Sequence, residues 1–406
     1  MPQYIKHLLV TLIVGGGLAS LLCFGILGIG REDMFNLDGQ ALYAAGRAWL
    51  QGSNPYDFGT LSRSVAGVAG MDLGVGLDTI RFFYPPQSAG FCIPLGLLPY
   101  SLACVAWLVL NLLSITAIVA MTRSAVRERA EPNMDVWGPW VLAAIIVGSP
   151  FTTRVVWMGQ TSLVAFAATL GTWLFASRKR WILAGLCLGL ASFKPQICVL
   201  VVLWIALERD WKTLMVGAAA AAVLASWPMM LQGGPIGALQ AWRAGVNADY
   251  AMQFNLPSWP HKVGMQSLLG DVGVSVPSSV FLGISLVSVF ILWWVRNRIA
   301  QFDVLALLMV ITLTFSTYLH DYDYVVLAPV FASLWWYSRQ STAVAVFAVS
   351  LLVTLVIPQH LVRALGHLVL DQWRTVIVVI MGLIVVACSA ASLSWHSAKR
   401  VSAGTA

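Results

Sequence analysis

The side chains able to do chemistry in this sequence stand at the edges of long apolar runs or inside them. Asp38 follows the first such run. A carboxylate there can serve as a general base at a membrane surface, or it can cap the short surface helix that the spacing of Asp38, Tyr43, Arg47 and Leu50 predicts. Arg81 and Tyr84, in Arg81-Phe82-Phe83-Tyr84-Pro85-Pro86, read either as contacts for a phosphate or sugar or as part of an interfacial aromatic belt. Arg154 and Gln160, placed on an outer turn over Thr152–Gln160, carry the same two readings. Lys194, in Ser192-Phe193-Lys194-Pro195-Gln196, has apolar sequence on both sides, so its ammonium either binds a lipid phosphate or snorkels to the interface. His320-Asp321-Tyr322-Asp323-Tyr324 offers an imidazole, two carboxylates and two phenols. Neighbouring His and Asp point different ways and HExxH is absent, although Asp321-Tyr322-Asp323 has DxD spacing; a metal site is the weakest reading, and the segment reads as a polar anchor at a helix break or as a phosphate or sugar contact. Tyr43, Gln196, Asn255 and Gln266 complete the set as hydrogen-bonding contacts for an acceptor or sugar.

The elements that must position these residues follow from composition. Of 406 residues, 59% are hydrophobic and 10% charged, and the mean hydropathy is +0.81. Soluble domains carry about 25% charged residues, so the bilayer is the solvent this chain requires. Its apolar runs are continuous rather than alternating, which predicts helices and not a barrel. Twelve spans are expected: Leu8–Ile29, Tyr100–Thr122, Val136–Pro150, Gln160–Ala176, Trp181–Ser192, Gln196–Leu207, Thr213–Leu231, Val276–Arg296, Val304–Leu319, Asp323–Tyr337, Ser341–Pro358 and Arg374–Ser394. The first is too long for the apolar core of a signal peptide. The six cysteines all lie in apolar stretches without metal-binding spacing.

Basic residues set the orientation. Lys6, Arg123, Arg127, Arg129, Arg178, Lys179, Arg180, Arg209, Lys212, Arg296, Arg298, Arg339, Lys399 and Arg400 fall on alternate connectors, which places those connectors and both termini in the cytoplasm. The net charge of +7 therefore reflects topology and not nucleic-acid binding. Two long polar stretches, about 30–83 and 232–275, lie on the other side and are rich enough in Gly, Pro and Trp to fold. Pro85–Leu98 is apolar but adds no net crossing, so it lies against or dips into that outer face. Arg180 and Arg209 both read as cytoplasmic, yet a full crossing takes about 20 residues. Trp181–Leu207 is therefore expected as two short helices meeting around Lys194-Pro195, where proline breaks the helix.

These residues resemble glycosyltransferase family 87, of the GT-C class, whose best-known members are polyprenyl-phosphomannose-dependent α-1,2-mannosyltransferases. The resemblance runs over nearly the whole chain through Asp38 with Tyr43-Ala44-Ala45-Gly46, Gly52, Asn54-Pro55-Tyr56, Tyr84-Pro85-Pro86, Gly159-Gln160, Lys194-Pro195-Gln196, Gln266-Ser267 and His320-Asp321-Tyr322. It implies one integral membrane domain, 1–406, with a GT-C-type all-α fold, in a bacterial inner membrane with the active site on the periplasmic face. It implies Asp38 as the base, a polyprenyl-monophosphate sugar as donor, inversion at the anomeric carbon, a lipid or glycan acceptor, and no metal or other cofactor. Asp321 and Asp323 stand where the mannosyltransferases would carry more histidine or aromatic character. The residues suit this chemistry: one carboxylate outside the membrane, cations for the leaving phosphate at Lys194 with Arg81 or His320, and a lipid entrance beside the short hairpin. A glycosidase would want two carboxylates. A transporter of lipid-linked or polar substrates would show paired halves or broken helices, and a ligase-like relative would take a diphosphate-linked donor.

Overall fold

Along Ser278–Trp294, the side chains of Leu282, Val287, Phe290 and Ile291 are more than half exposed, whereas Ser285 is buried and donates to the Phe281 carbonyl. Thr169 and Thr172 lie wholly inside and bond back to the carbonyls of Ala165 and Ala168. Apolar groups outside and satisfied polar groups within are the pattern of a protein whose solvent is lipid. The computed structural model describes residues 3–30, 37–68, 81–129, 138–250, 255–257, 259, 261–357, 361 and 372–403. Among these, the backbone is helix, turn or coil, with one isolated bridge between Lys262 and His320. Gln253, Phe254 and Ser258 of the second polar stretch lie outside the described residues.

Two compact units are present: Met1–Met121 with Ala143–Leu256, and Thr122–Leu142 with Pro257–Ala406. The first holds α1 (Gln3–Ser20), α2 (Leu37–Leu50), α3 (Phe58–Val65), α4 (Ala89–Gly96), most of α5 (Tyr100–Arg129) and of α6 (Gly138–Gly148), α7 (Pro150–Met158), α8 (Ser162–Ser177), α9 (Trp181–Ala191), α10 (Pro195–Leu207), α11 (Trp211–Leu224), α12 (Ser226–Leu231) and α13 (Pro235–Tyr250). The second holds α14 (Met265–Asp271), α15 (Ser278–Trp294), α16 (Gln301–Phe315), α17 (Ala328–Ser338), α18 (Thr342–Val356) and α19 (Trp373–Ala403). Among the described residues, three helical stretches are long and apolar enough to cross a membrane alone: Gln3–Ile26, Tyr100–Arg129 and Trp373–Ser392. The pair α6 and α7, bent by 44°, makes a fourth, and seven further apolar helices have 10–17 residues.

Several expected boundaries move for local reasons. Arg123 and Arg127, expected on a connector, lie on the last turns of α5, which meets no helix breaker before Arg129; cations suit that end of a helix. The expected outer turn over Thr152–Gln160 is instead mostly α7, started by Pro150 and by Ser149, whose hydroxyl accepts from the Phe151 amide, and closed by Gly159 at φ 66°. The run expected as one span over Thr213–Leu231 breaks at Ala225 into α11 and α12. The span expected from Asp323 begins as a tight 3-10 turn, Asp321–Leu327, before α17.

The expected pair of short helices around Lys194 is present as α9 and α10. At about 1.5 Å per residue, their lengths are about 16 and 20 Å, against a hydrocarbon core of about 30 Å. Their direction follows from glycines. Gly185 abuts Val216 and the Thr213 carbonyl, and Gly189 abuts Ala220 and the Gly217 carbonyl. Contacts thus advance the same way along both helices, so α9 and α11 run parallel, and α10 between them must return. Arg180 and Arg209 share one end of this hairpin and Lys194 sits at the other. The Gly185-x-x-x-Gly189 spacing is what lets two backbones approach this closely. A Cβ at Gly189 would collide with Ala220, whereas one at Gly15 would meet open space. Gly189→Val is therefore expected to destabilise the protein by about 1–3 kcal/mol, read as a lower unfolding midpoint in detergent, with Gly15→Ala unchanged.

In the second unit, Arg129 forks onto Asp303 at 2.7 and 3.1 Å. Ser333 and Tyr337 donate to the same carboxylate, each at 2.6 Å, and Asp303 is fully buried. Each oxygen accepts two bonds, so this ion pair clasps α5, α16 and α17 and leaves no lone pair to offer a ligand. Removing one partner of a buried pair strands the other, so Asp303→Ala is expected to cost about 3–5 kcal/mol, measured by denaturation in mixed micelles.

Candidate active site

Asp38 is the second residue of α2, inside the helix and not at the capping position expected for it, and is half-buried. A carboxylate there is favoured by the positive end of the helix. The helix is held by backbone proximity. A Cβ on Gly46 would run into the Cys92 carbonyl of α4, and one on Gly96 would lie 2.6 Å from the carbonyl carbon of Gly46. Tyr43, buried, donates its phenol to the Leu98 carbonyl at 3.1 Å and sets its ring edge-on to Tyr100 at 5.2 Å. Ser64 of α3 bonds to the Ala44 carbonyl at 3.0 Å. α2 also touches α7, the helix carrying Arg154, whose Nε donates to Met158 Sδ at 3.4 Å.

Lys194 is 3% exposed, and its Nζ donates to Ser162 Oγ at 2.6 Å. Ser162 opens α8, and Lys194 itself is the residue before α10. The ammonium therefore sits where two helices present the positive ends of their dipoles, a setting that attracts an anion. The residues beside Ser162 are fixed by a cycle of bonds. Thr161 Oγ1 donates to the Tyr84 hydroxyl at 3.1 Å, that hydroxyl donates to Gln160 Oε1 at 3.3 Å, and the Thr161 amide donates to the same oxygen at 3.0 Å. Gln87 Nε2 reaches the Ser192 carbonyl at 2.8 Å, tying the segment after Tyr84 to the hairpin turn. Tyr84, Gln160 and Lys194 are thus brought together, with Gln196 half-buried on the first turn of α10.

Aromatic packing carries Tyr84. Its ring stacks on Phe83 at 4.6 Å and meets Phe82 at 5.8 Å and Phe193 at 6.4 Å. Tyr56 donates to the Tyr84 carbonyl at 2.8 Å, and Trp242 of α13 donates to the Phe83 carbonyl at 2.7 Å. Arg81 stands apart from the cycle, its guanidinium 4.0 Å over the Phe58 ring. Asn255 is buried on a 3-10 turn after α13.

Within the second unit, Gln266 of α14 donates to the Val276 carbonyl at 3.3 Å and to Ser278 Oγ at 3.2 Å, bracing the start of α15. His320 precedes the 3-10 turn, with its backbone amide on Asp323 Oδ2 at 3.0 Å, its side chain accepting from the Asp323 amide, and its ring stacked on Tyr322 at 5.3 Å. Three residues that sequence reasoning passed over stand here. His261 Nδ1 lies 3.0 Å from Asp321 Oδ2; Arg374 Nη1 lies 3.7 Å from the same oxygen; and Lys262 is 3% exposed, its burial lowering the ammonium to about 8. The signal was present in the sequence, since His261-Lys262 lies between Asn255 and Gln266, both read as sugar or acceptor contacts, and Arg374 opens the last span.

The sequence profile of glycosyltransferase family 87 matches residues 82–319. That is more than half of the chain, and the protein belongs to this family: a helical, membrane-type glycosyltransferase. No curated protein matches it. The matched region contains Tyr84, Arg154, Gln160, Lys194, Gln196, Asn255 and Gln266; Asp38, Tyr43 and Arg81 precede it and His320 directly follows it. Because Tyr84 both donates and accepts in the cycle, Tyr84→Phe is expected to destabilise the protein by about 1–3 kcal/mol, with thermal unfolding of the detergent-solubilised protein as the readout.

Proposed function

We propose that this family 87 protein is an inverting hexosyltransferase that uses a polyprenyl-monophosphate sugar, mannose in the first instance, and glycosylates a hydroxyl of a lipid or glycan. The observation carrying this reading is the buried Lys194 ammonium at the start of two helices, an anion-seeking arrangement at the turn of a hairpin whose legs are each shorter than the membrane core. A lipid phosphate entering from the side suits it better than a soluble nucleotide sugar.

On this reading the acceptor oxygen attacks the anomeric carbon while the bond from that carbon to the phosphate oxygen breaks. Asp38 takes the acceptor's proton. Polyprenyl phosphate leaves with the bonding pair, its charge met by Lys194 and the helix ends, and it needs no proton or metal to depart. Gln160 and Tyr84 hold the wall of the donor site, with Arg154 and Arg81 as further donor contacts and Tyr43, Gln196 and Asn255 as sugar or acceptor contacts. The chain acts as one membrane domain crossing a bacterial inner membrane about twelve times, with both termini cytoplasmic, the polar stretches 30–83 and 232–275 outside, and transfer at the outer face.

The test is transfer of label from polyprenyl-phosphomannose to membrane lipid extract by nanodisc-embedded protein with EDTA present. Wild type is expected to transfer at the same rate with and without EDTA. Asp38→Asn is expected to lose about 10²–10⁴-fold while keeping its unfolding midpoint. Lys194→Met is expected to raise the donor KM, with Lys194→Arg recovering part of the loss. Undiminished turnover by Asp38→Asn would remove the base, and protein-dependent flux of a lipid-linked sugar without transfer would favour a transporter.

A further inference from the structure

Two turns of the first unit are built alike. After α8 the chain passes through Arg178, Lys179 and Arg180 into Trp181, and after α10 through Glu208, Arg209 and Asp210 into Trp211. Their hydrogen bonds match one for one. The amides of Arg178, Lys179 and Arg180 donate to the carbonyls of Leu174, Ala176 and Phe175, and those of Glu208, Arg209 and Asp210 to the carbonyls of Trp204, Ala206 and Ile205. The middle residue of each turn is left-handed, Lys179 at φ 59° and Arg209 at φ 58°, and among the described residues no other non-glycine residue has a positive φ. Glycine is the usual occupant of that position, so each turn carries a long cationic side chain where the backbone favours none.

Helix stability accounts for only part of this pattern. A cation suits the end of α8 or α10, but Arg180 and Lys212 stand at the opposite, positive helix ends, the first immediately before α9 and the second two residues into α11, where a cation is disfavoured. The two turns share one end of the hairpin, and Lys212 Nζ lies 6.0 Å from the centroid of the Trp181 ring. Arg178, Lys179, Arg180, Arg209 and Lys212 are all exposed. Two carboxylates accompany them. Glu208 is exposed too, whereas Asp210 accepts from the Thr213 amide at 3.2 Å and the Thr213 hydroxyl at 2.6 Å and is committed to capping α11. The surface therefore keeps an excess of positive charge.

What adjoins these cations identifies the anion. Trp181 and Trp211 are exposed beside them, and tryptophan favours the headgroup level of a bilayer. Further along the same helices, Ile182, Leu183, Leu186 and Leu190 of α9 and Met215 and Val223 of α11 are exposed, a surface suited to acyl chains. Cations at headgroup level, next to helix faces that acyl chains can cover, match a phospholipid of net negative charge.

We propose that Lys179, Arg180, Arg209 and Lys212 bind the headgroup of an anionic phospholipid at this end of the hairpin. The lipid would hold together the two turns of the element that carries Lys194 at its far end. On the topology proposed above it belongs to the cytoplasmic leaflet, and the assignment does not rest on the sugar-transfer reading.

Native mass spectrometry of the full chain in detergent, titrated with dioleoyl phosphatidylglycerol or dioleoyl phosphatidylcholine, tests it without turnover. Wild type is expected to bind phosphatidylglycerol at least ten-fold more tightly, with the preference shrinking as ionic strength rises. Lys179→Gly with Arg209→Gly removes two charges and relieves the backbone at once. Its preference is expected to fall by about five-fold or more while its unfolding midpoint stays or rises; a lower midpoint with the preference intact would make these cations structural and overturn the proposal. Lys212→Gln, which alters the backbone of neither turn, is expected to lose at least two-fold of the preference. Arg127→Gln with Arg298→Gln removes two exposed cations elsewhere and is expected to keep it. Equal binding of the two lipids by wild type overturns the proposal, as does an equal loss in the Arg127 and Arg298 pair. Displacement of phosphatidylglycerol by millimolar inorganic phosphate also overturns it, since the site would then be indifferent to the lipid.

Discussion

An ammonium withdrawn from water must be met by oxygen, and much of the first unit is arranged around that requirement at Lys194. Its desolvation costs several kcal/mol, and the two helix ends beside it add to the positive potential. Ser162 supplies oxygen at 2.6 Å. That contact depends on two sets of packing. The hairpin turn is held by glycine contacts between α9 and α11, and the Ser162 side by the hydrogen-bond cycle through Tyr84, Gln160 and Thr161. A shift of either would separate the ammonium from the Ser162 hydroxyl, so the hairpin packing and the Lys194 contact depend on each other.

The other buried charge shows what a purely structural ion looks like. Asp303 has both oxygens doubly bonded, a guanidinium fork on one side and two hydroxyls on the other. Its charge is cancelled within 3 Å and its acceptor capacity is used up. Lys194 instead meets the Ser162 hydroxyl at 2.6 Å where two helices begin. A buried ion whose hydrogen-bonding capacity is used up in this way, as at Asp303, holds helices together.

How much of this was legible in the sequence depended on the range of the interaction. The helix pair around Lys194 followed from chain length against membrane thickness and from Pro195, both local facts, and α2 followed from the spacing after Asp38. The extension of α5 to Arg129 was missed because charge was read as loop, whereas arginines at a helix C-terminus are stabilising. The helix over 150–158 was missed because Ser149-Pro150, which stops α6, also starts the next helix. Asp303 was placed outside its span since the Arg129 that neutralises it lies 174 positions away, and no local pattern announces such a partner. His261 escaped for the same reason, its carboxylate being 60 positions distant.

The motifs behind the family resemblance separate into two physical groups. Gly46 is needed because any side chain would strike the Cys92 carbonyl. Asn54 accepts from the Tyr56 amide at 3.1 Å across Pro55, forming a turn that aims the Tyr56 hydroxyl at the Tyr84 carbonyl. Gly159 takes the left-handed conformation that lets the chain leave α7 and present Gln160, and its carbonyl is held by Trp107 at 2.7 Å. None of these groups is chemically reactive; each fixes the local backbone. Motif residues far apart in sequence therefore trace a single mechanical path, from α2 through Tyr56 and Tyr84 to Gln160 and the Lys194 turn. Substitution anywhere along that path should be felt at Lys194, because the intervening contacts are backbone hydrogen bonds and ring packing with little freedom to absorb a displacement.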